Sequence, residues 1–308
     1  MPKISIVVSF FNEASTLASF IQRVDSVFKG RTESYEIIFV NDDSTDGSLA
    51  VIKDAAAHKS SKASIRTVTM SRRFGVEECF LAGLEYAKGD AVILMYADLQ
   101  DPPEVIPQML EHFYHGSQVV HTVRSKRVGD PLLKKAAAHI AYRMVKGSAS
   151  FPIPVDAGDF KLLSKKVVGL LLGLSETDPY LRGLIPWIGF KQTCVSYDMQ
   201  PRQGGNSKVP LFGKKAWTVF LSGVTSFSHF PIPLMLISGL AVFALSGLGC
   251  FVLLGQGRLE SWSFALAYIS LLWAVLVIML ALLGIYVLRT YKDVRGRPRY
   301  IVAEVAEI

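Results

Sequence analysis

Residues 89–104 read GDAVILMYADLQDPPE. Ala91–Tyr96 (AVILMY) is an almost wholly apolar run that is followed by the polar residues Asp98 and Gln100. A short run of this kind reads as a strand buried on both faces, at the centre of a parallel sheet. Pro102 and Pro103 then open a helix that is expected to run to about Tyr114.

The flanking sequence repeats the theme. Ile4–Ser9, Glu36–Val40 and Ile65–Met70 are β-branched or apolar strand signals, and Gln118–Val123 is another. Between them, Leu17, Phe20, Ile21, Val24, Val27 and Phe28 recur at helical spacing. A second helix is expected from near Asp46, capped by residues of NDDSTDG, and a third over Val76–Ala87. The order β-α-β-α-β-α-β-α-β predicts an α/β fold with an open, doubly wound sheet. Such sheets bind ligands outside the carboxyl ends of their strands. Polar residues gather at those ends: Asn12 and Glu13, Asp42 and Asp43, Ser71 to Arg73, Asp98 and Gln100, and Arg124. Neither GxGxxG nor GxxxxGK[ST] occurs, so dinucleotide and P-loop readings lack their signatures.

Composition adds a membrane. Of 308 residues, 50% are hydrophobic and 19% charged, which argues against a wholly soluble chain and against global disorder. The 33 Lys and Arg exceed the 26 Asp and Glu by seven. That excess suits an anionic membrane face or substrate and is too small to argue for nucleic acid. Cys79, Cys194 and Cys250 are too scattered for a disulfide framework or a metal cluster. No Asp, Glu, Lys or Arg occurs over 216–257 or 261–288. Each stretch exceeds the roughly 20 residues that cross a bilayer. Two transmembrane helices are expected, near Pro231–Leu254 and Ser263–Leu288, as a hairpin.

Lys208, Lys214 and Lys215 precede the hairpin, and Arg289, Lys292, Arg295, Arg297 and Arg299 follow it. The positive-inside rule places the N-terminal domain and the C-terminal tail in the cytoplasm. PKISIVVSFFNEAS turns polar too soon for a signal peptide. The expected organisation is a cytoplasmic domain over 1–208, an amphipathic juxtamembrane segment over 209–229, the two spans within 230–288, and a basic tail over 289–308. Leu132–Lys146 reads as an amphipathic helix, at the membrane surface or packed on the sheet.

IVVSFFNEASTL, FVNDDSTDGS, SRRFGVEECFLAGLEYAKGDAVILMYADLQDPPE, DAGDFKLL and PRQGGNSK follow one another in this order. Together they resemble glycosyltransferase family 2, in its polyprenyl-phosphate glycosyltransferase branch, which holds dolichyl-phosphate mannose synthase and the bactoprenol glucosyltransferases. The resemblance covers nearly the whole chain. It implies a GT-A type nucleotide-sugar-binding domain and inverting transfer of a sugar to a polyprenyl phosphate, undecaprenyl phosphate in a bacterium. It further implies a multi-pass protein of the bacterial cytoplasmic membrane, contact with membrane lipids, and a possible homo-tetramer.

The resemblance also implies roles. Asn12 and Glu13 meet the nucleotide, and Asp42 holds its base. Asp98 and Gln100 reach the donor diphosphate and a divalent cation, Mg2+ or Mn2+. Asp159 lies near the reacting centre, and Arg124, Arg202 and Lys208 handle phosphates of donor and acceptor. These residue types suit the chemistry, because negative charge grows on the leaving diphosphate and hard cations or guanidiniums stabilise it. The acceptor phosphate is already ionised near neutral pH, so Asp159 is expected to orient a basic residue or the sugar rather than to take a proton. Plainer roles compete: Asp42 and Asp98 as helix caps, Asp159 as a turn residue, Arg202 and Lys208 as positive-inside charges.

Tyr96-Ala97-Asp98 stands where the family usually has Asp-Ala-Asp, so the first carboxylate of the pair is missing. A phenol, with a pKa near ~10, does not replace a hard anionic ligand. The cation is then left to Asp98, Gln100, the diphosphate and water; weak metal binding, or loss of the reaction in a nucleotide- or lipid-binding scaffold, are the alternatives. Ser9 stands where the family often has Pro, and Asp43 where it often has Gly.

Overall fold

The computed structural model describes residues 3–57, 63–125, 154, 157–201, 231–255 and 262–308. Strands β1 (Lys3–Phe10), β2 (Ser34–Asn41), β3 (Ala63–Met70), β4 (Ala91–Tyr96) and β5 (Val119–Arg124) fall where the apolar runs predict them. Helices α1 (Ala14–Phe28), α2 (Ser48–Ala56), α3 (Val76–Tyr86) and α4 (Ile106–Tyr114) connect them, α4 preceded by a 3-10 turn at Pro103–Val105. The second half adds β6 (Ala157–Ser164), α5 (Lys165–Gly173), α6 (Leu181–Trp187), β7 (Gln192–Tyr197), α7 (Pro231–Gly255), α8 (Trp262–Arg295) and β8 (Val302–Glu307).

The sheet has eight strands in the order β7-β5-β6-β4-β1-β2-β3-β8. β4, β1, β2 and β3 are parallel. β6 runs antiparallel between β4 and β5, and β8 lies antiparallel on β3. The sheet is therefore mixed, whereas the alternating pattern predicts only its parallel part. β6 escapes that pattern because AGDFKLLS carries Gly, Asp and Lys inside a strand. The expected basic tail is also structured: 289–295 complete α8, and 302–307 form β8.

Side chains alternate across the sheet. Ile4, Ile6, Val8 and Phe10 pack with α1 and α4 on one face. Val7, Ile38, Val40, Val92 and Leu94 pack with α3, α5 and α6 on the other. α3 approaches closely at Gly83, where a Cβ would lie 2.2 Å from Val7 Cγ1 and 2.9 Å from Val40 Cγ2.

Among the described residues, Tyr268–Arg295 is long and apolar enough to cross a membrane, with mean hydropathy 2.8; Met235–Gly249 is a shorter apolar stretch. α8 exposes Leu271, Trp273, Leu280 and Val287. Its last turns dock on the loop between α5 and α6. Lys292 Nζ is 2.6 Å from Asp178, Asp293 Oδ1 accepts from the Thr177 amide at 2.8 Å, and Arg289 lies 3.9 Å from Glu176.

Candidate active site

Three parallel strands end in non-glycine residues of positive φ: Asn12 (54°) after β1, Asp43 (60°) after β2 and Leu99 (59°) after β4. Short polar side chains tolerate this region, whereas Leu99 stores backbone strain of order 1–3 kcal/mol. Asp43 occupies the left-handed position for which Gly is the usual residue, which accounts for its place in the motif.

The first two strand ends are stitched together. Asn12 Oδ1 accepts from the Thr45 amide at 2.9 Å, and its backbone N–H donates to Ser44 Oγ at 3.0 Å. The Glu13 amide donates to Ser48 Oγ at 3.1 Å, and its side chain is buried. Asp42 is buried and accepts from the Phe74 and Gly75 amides at 2.7 and 3.2 Å, with Arg73 Nε 3.7 Å away. It thus pins the SRRFG loop beside the β2 end. Asp42 does not cap α2, whose N-cap is Gly47 with no side-chain bond.

Asp98 and Gln100 form the turn after β4. Asp98 Oδ1 accepts the Gln100 amide at 3.1 Å, and neither helical start after Pro102 has a side-chain cap. Asp101 is fully buried and accepts from the Tyr197 hydroxyl, with Arg124 Nη2 4.0 Å away. Arg124, at the end of β5, also reaches the Tyr197 hydroxyl at 3.4 Å.

Asp159 lies in β6, not in a turn. β6 pairs Lys161 with Leu94, and continuing that register sets Asp159 opposite Tyr96. The Tyr96 hydroxyl donates to Asp159 Oδ2 at 2.5 Å. Arg182, in the first turn of α6, clamps the same carboxylate through Nε and Nη2, both at 2.7 Å. Burial alone would raise Asp159, but the Arg182 bonds and charge, Lys161 and Tyr96 hold it well below the usual carboxylate range. Burial, followed by the Asp159 charge, pushes the Tyr96 phenol well above its usual range.

Half-buried Glu77 and buried Lys161 complete this cluster. Glu77 Oε2 accepts the Leu181 amide at 2.9 Å; burial, then the Asp159 charge, pushes it up to about 7. Lys161 is buried on β6, and burial pulls it down to about 8 against the opposing pull of Asp159.

The structure therefore brings Tyr96 and Asp159 into contact and lines Asn12, Glu13, Asp42, Asp98, Gln100 and Arg124 along the carboxyl ends of the strands. Arg202 and Lys208 lie outside the described residues. Glu77, Asp101, Lys161, Arg182 and Tyr197 are additional polar members of the site. The adjacent acids of VEE and the charged Lys161 inside an apolar strand were the available signals; Arg182 in YLRGL gave none.

Residues 5–171 match the model of glycosyl transferase family 2. An uncharacterized glycosyltransferase of Bacillus subtilis (strain 168) is 36% identical over 303 residues, 97% of this chain and 92% of that one. The bactoprenol glucosyl transferase of Shigella phage SfII is 34% identical over 305 residues, 97% of each chain. Glucosyl-3-phosphoglycerate synthase from Mycobacterium tuberculosis, in complex with Mn2+, uridine-diphosphate-glucose and glycerol 3-phosphate, aligns with a TM-score of 0.46 at 19% identity, over 72% of this chain and 78% of that one. The match across more than half of the chain, with full-length relatives at this identity, makes the chain a member of glycosyl transferase family 2.

Proposed function

We propose that the chain transfers a sugar from a nucleotide-sugar donor to a polyprenyl phosphate, undecaprenyl phosphate in a bacterium, at the cytoplasmic face of the membrane. The observation that carries this reading is the row of polar side chains along the carboxyl ends of the strands, with Asp159 clamped by Arg182 and Tyr96 beside it. The likeness to relatives named bactoprenol glucosyl transferases supports the acceptor class.

In this reading Asn12, Glu13 and Asp42 receive the nucleoside, while Asp98 and Gln100 face its diphosphate. Asp98 offers one carboxylate at an open strand end, since its Oδ1 bonds only within its own turn among the described residues. Tyr96 is committed to Asp159, and no group of three or more His, Cys, Asp or Glu suited to a metal occurs among the described residues. One carboxylate fits Mg2+ or Mn2+, which commonly take one or two carboxylates and complete their shell with substrate phosphates and water. Asp98, assisted by Gln100, would hold the ion, which supplies neutralisation of the diphosphate charge.

The acceptor phosphate oxygen forms the new bond to the anomeric carbon. The bond from that carbon to the nucleoside diphosphate breaks, and the electron pair leaves with the diphosphate. Asp159 is held as an anion with both oxygens engaged, which disfavours it as proton acceptor or covalent nucleophile. A single displacement with inversion agrees with that arrangement. Arg124, Arg202 and Lys208 are assigned to the phosphates.

Two contacts favour a domain and tail on one side of the membrane. β8 pairs with β3 of the domain, and the end of α8 docks at residues 176–178. With α8 crossing the bilayer, this arrangement requires another crossing, for which α7 is the candidate. α8 has 34 residues, about 50 Å of helix, so it outruns the ~30 Å hydrocarbon core. A hairpin anchor holds the site beside the leaflet that contains the lipid acceptor and raises its effective concentration. Contact with membrane lipids follows, and a homo-tetramer is the proposed assembly.

Tyr96 favours a second reading, a nucleotide- or lipid-binding scaffold without turnover, because a neutral phenol replaces an acid. The test is release of nucleoside diphosphate by detergent-purified protein across a panel of nucleotide sugars, with and without polyprenyl phosphate. Release only with both substrates supports transfer. Binding of donor and lipid without release across the panel supports the scaffold.

A further inference from the structure

A short chain of direct contacts joins the end of α8 to the Asp159 cluster. α8 runs unbroken from Trp262 to Arg295, so its last two turns continue the helix beyond Leu288, where the uncharged run ends. Lys292 stands one turn past that point, about 6 Å along the axis. There the helix grips the loop between α5 and α6. Lys292 Nζ pairs with Asp178 at 2.6 Å, and Asp293 Oδ1 accepts the Thr177 amide at 2.8 Å. Arg289 Nη2 donates to the Asp178 carbonyl at 3.4 Å.

The residues that follow are stiffly held. Pro179 is buried, and its ring fixes φ. The Tyr180 carbonyl accepts from the Gly183 and Leu184 amides at 3.0 and 2.9 Å, which starts α6. Glu77 Oε2 holds the Leu181 amide at 2.9 Å. Arg182 comes next and clamps Asp159 through Nε and Nη2, and Asp159 in turn accepts from Tyr96 at the end of β4.

The continuation of α8 reaches the other arm of the site as well. The Ile301 carbonyl, just before β8, accepts the Ser71 amide at 2.9 Å, at the start of the SRRFG loop that Asp42 pins. The Tyr300 hydroxyl donates to Glu85 Oε2 on α3 at 2.7 Å. The stretch 289–301 therefore touches loops on both sides of β4.

We propose that Lys292 and Asp293 are positioning residues for the transfer reaction: by holding Asp178 and Thr177 they set Arg182 against Asp159 and tie the reacting centre to α8. The proposal rests on the transferase reading above and deepens it, because the acceptor in that reading lies in the bilayer that α8 crosses. One rigid helix then sets the height of the Asp159 cluster above the membrane surface. The Lys292 and Asp178 side chains are 45% and 46% exposed, and a pair this open adds little to global stability. Its effect is local, on the placement of residues 176–182. Placement matters at a reacting centre, where a shift of about 1 Å costs about a hundredfold in rate.

The test uses the full chain in detergent micelles. It measures amide hydrogen exchange over residues 177–184 and steady-state transfer of sugar to polyprenyl phosphate. Lys292→Glu and Asp293→Ala should each speed exchange at Gly183 and Leu184 by about threefold or more. Each should lower kcat by about tenfold and leave KM for the nucleotide sugar within about twofold of wild type. Thermal melts should show both variants folded. Asp178→Lys alone should match Lys292→Glu, and the two combined, which restore the pair with its charges exchanged, should recover most of kcat.

Unchanged exchange at Gly183 and Leu184 in both single variants overturns the proposal, since α6 then keeps its place without α8. Faster exchange with kcat intact makes the clasp a plain anchor and also overturns it. A loss of kcat that the charge-exchanged pair does not recover overturns the assignment to Lys292 and Asp178. A wild-type protein that binds both substrates and transfers no sugar defeats the transferase reading, and this proposal with it; normal kcat in the variants of an active wild type defeats this proposal alone.

Discussion

The Tyr96 hydroxyl donates a hydrogen bond to Asp159 Oδ2 over 2.5 Å, joining the end of β4 to β6. A carboxylate at residue 96 would confront Asp159 with a second negative charge; the phenol supplies a donor instead. Tyr96 also packs on Phe80, with ring centroids 5.5 Å apart. Tyr96→Phe keeps that packing and removes the donor, so it should cost about 1.5–3 kcal/mol, the range for bonds to a charged group. Tyr96→Asp should destabilise the protein further and make nucleotide binding more dependent on Mn2+. Denaturant melts and a cation titration of nucleotide binding measure both effects. A Tyr96→Asp protein as stable as wild type would contradict this account of the bond.

Arg182→Ala leaves Asp159 buried without its main partner. Breaking a fully buried pair costs about 3–5 kcal/mol, and the exposed outer edge of Arg182 reduces that to about 2–3 kcal/mol. Equilibrium unfolding should show this loss in wild-type background and much less of it in Asp159→Asn. Equal losses in the two backgrounds would mean that the two side chains are not coupled.

Glu77 makes stability depend on pH. Its folded value is about 7, above its ordinary value of 4.5. The folded state therefore keeps a proton that the unfolded state has released. Stability falls as pH rises from 4.5 towards 7 and levels off above that range. Glu77→Gln still accepts the Leu181 amide and abolishes this component. Relative to wild type, the variant should gain stability at about pH 7.5 compared with about pH 5. An identical pH profile for the two proteins would refute the assignment.

Gly83→Ala should destabilise the fold by about 1–3 kcal/mol, the usual cost of overpacking a core. Its new methyl collides with Val7 Cγ1 at 2.2 Å, and the Val7 branch is fixed within β1. Val7→Ala should recover part of the loss. Chemical denaturation of the single and double variants measures both terms.

The parallel half of the sheet was legible because each strand is a short apolar run closed by a polar turn, with Ala91–Tyr96 matching β4 at both ends. Asp42 and Asp98 were legible as strand-end positions because they follow such runs. β6 was hidden by the charges it buries: Asp159 and Lys161 interrupt its apolar run, and Arg182, Glu77 and Tyr96 gather around them only in the fold. Arg182 was hidden for another reason. Its partner is 23 residues away, and local sequence pattern carries no information about such a pair. β8, VAEVAE, lacks the period-two alternation of a strand, and six such residues are a weak signal until β3 offers an open edge.

Asp98→Ala removes the one carboxylate free to face a diphosphate in this reading, along with its bond to the Gln100 amide. It should abolish sugar transfer and cost only about 1 kcal/mol of stability. Normal turnover by this variant would show that the donor site has been misplaced.

The most direct test of the central claim is mass spectrometry of the lipid fraction after incubating the purified protein with undecaprenyl phosphate, a panel of nucleotide sugars and Mn2+ or Mg2+. The account predicts a new lipid whose added mass equals one glycosyl residue, formed only when a matching donor is present. Folded protein that binds both donor and lipid yet leaves the lipid mass unchanged across the panel would contradict it.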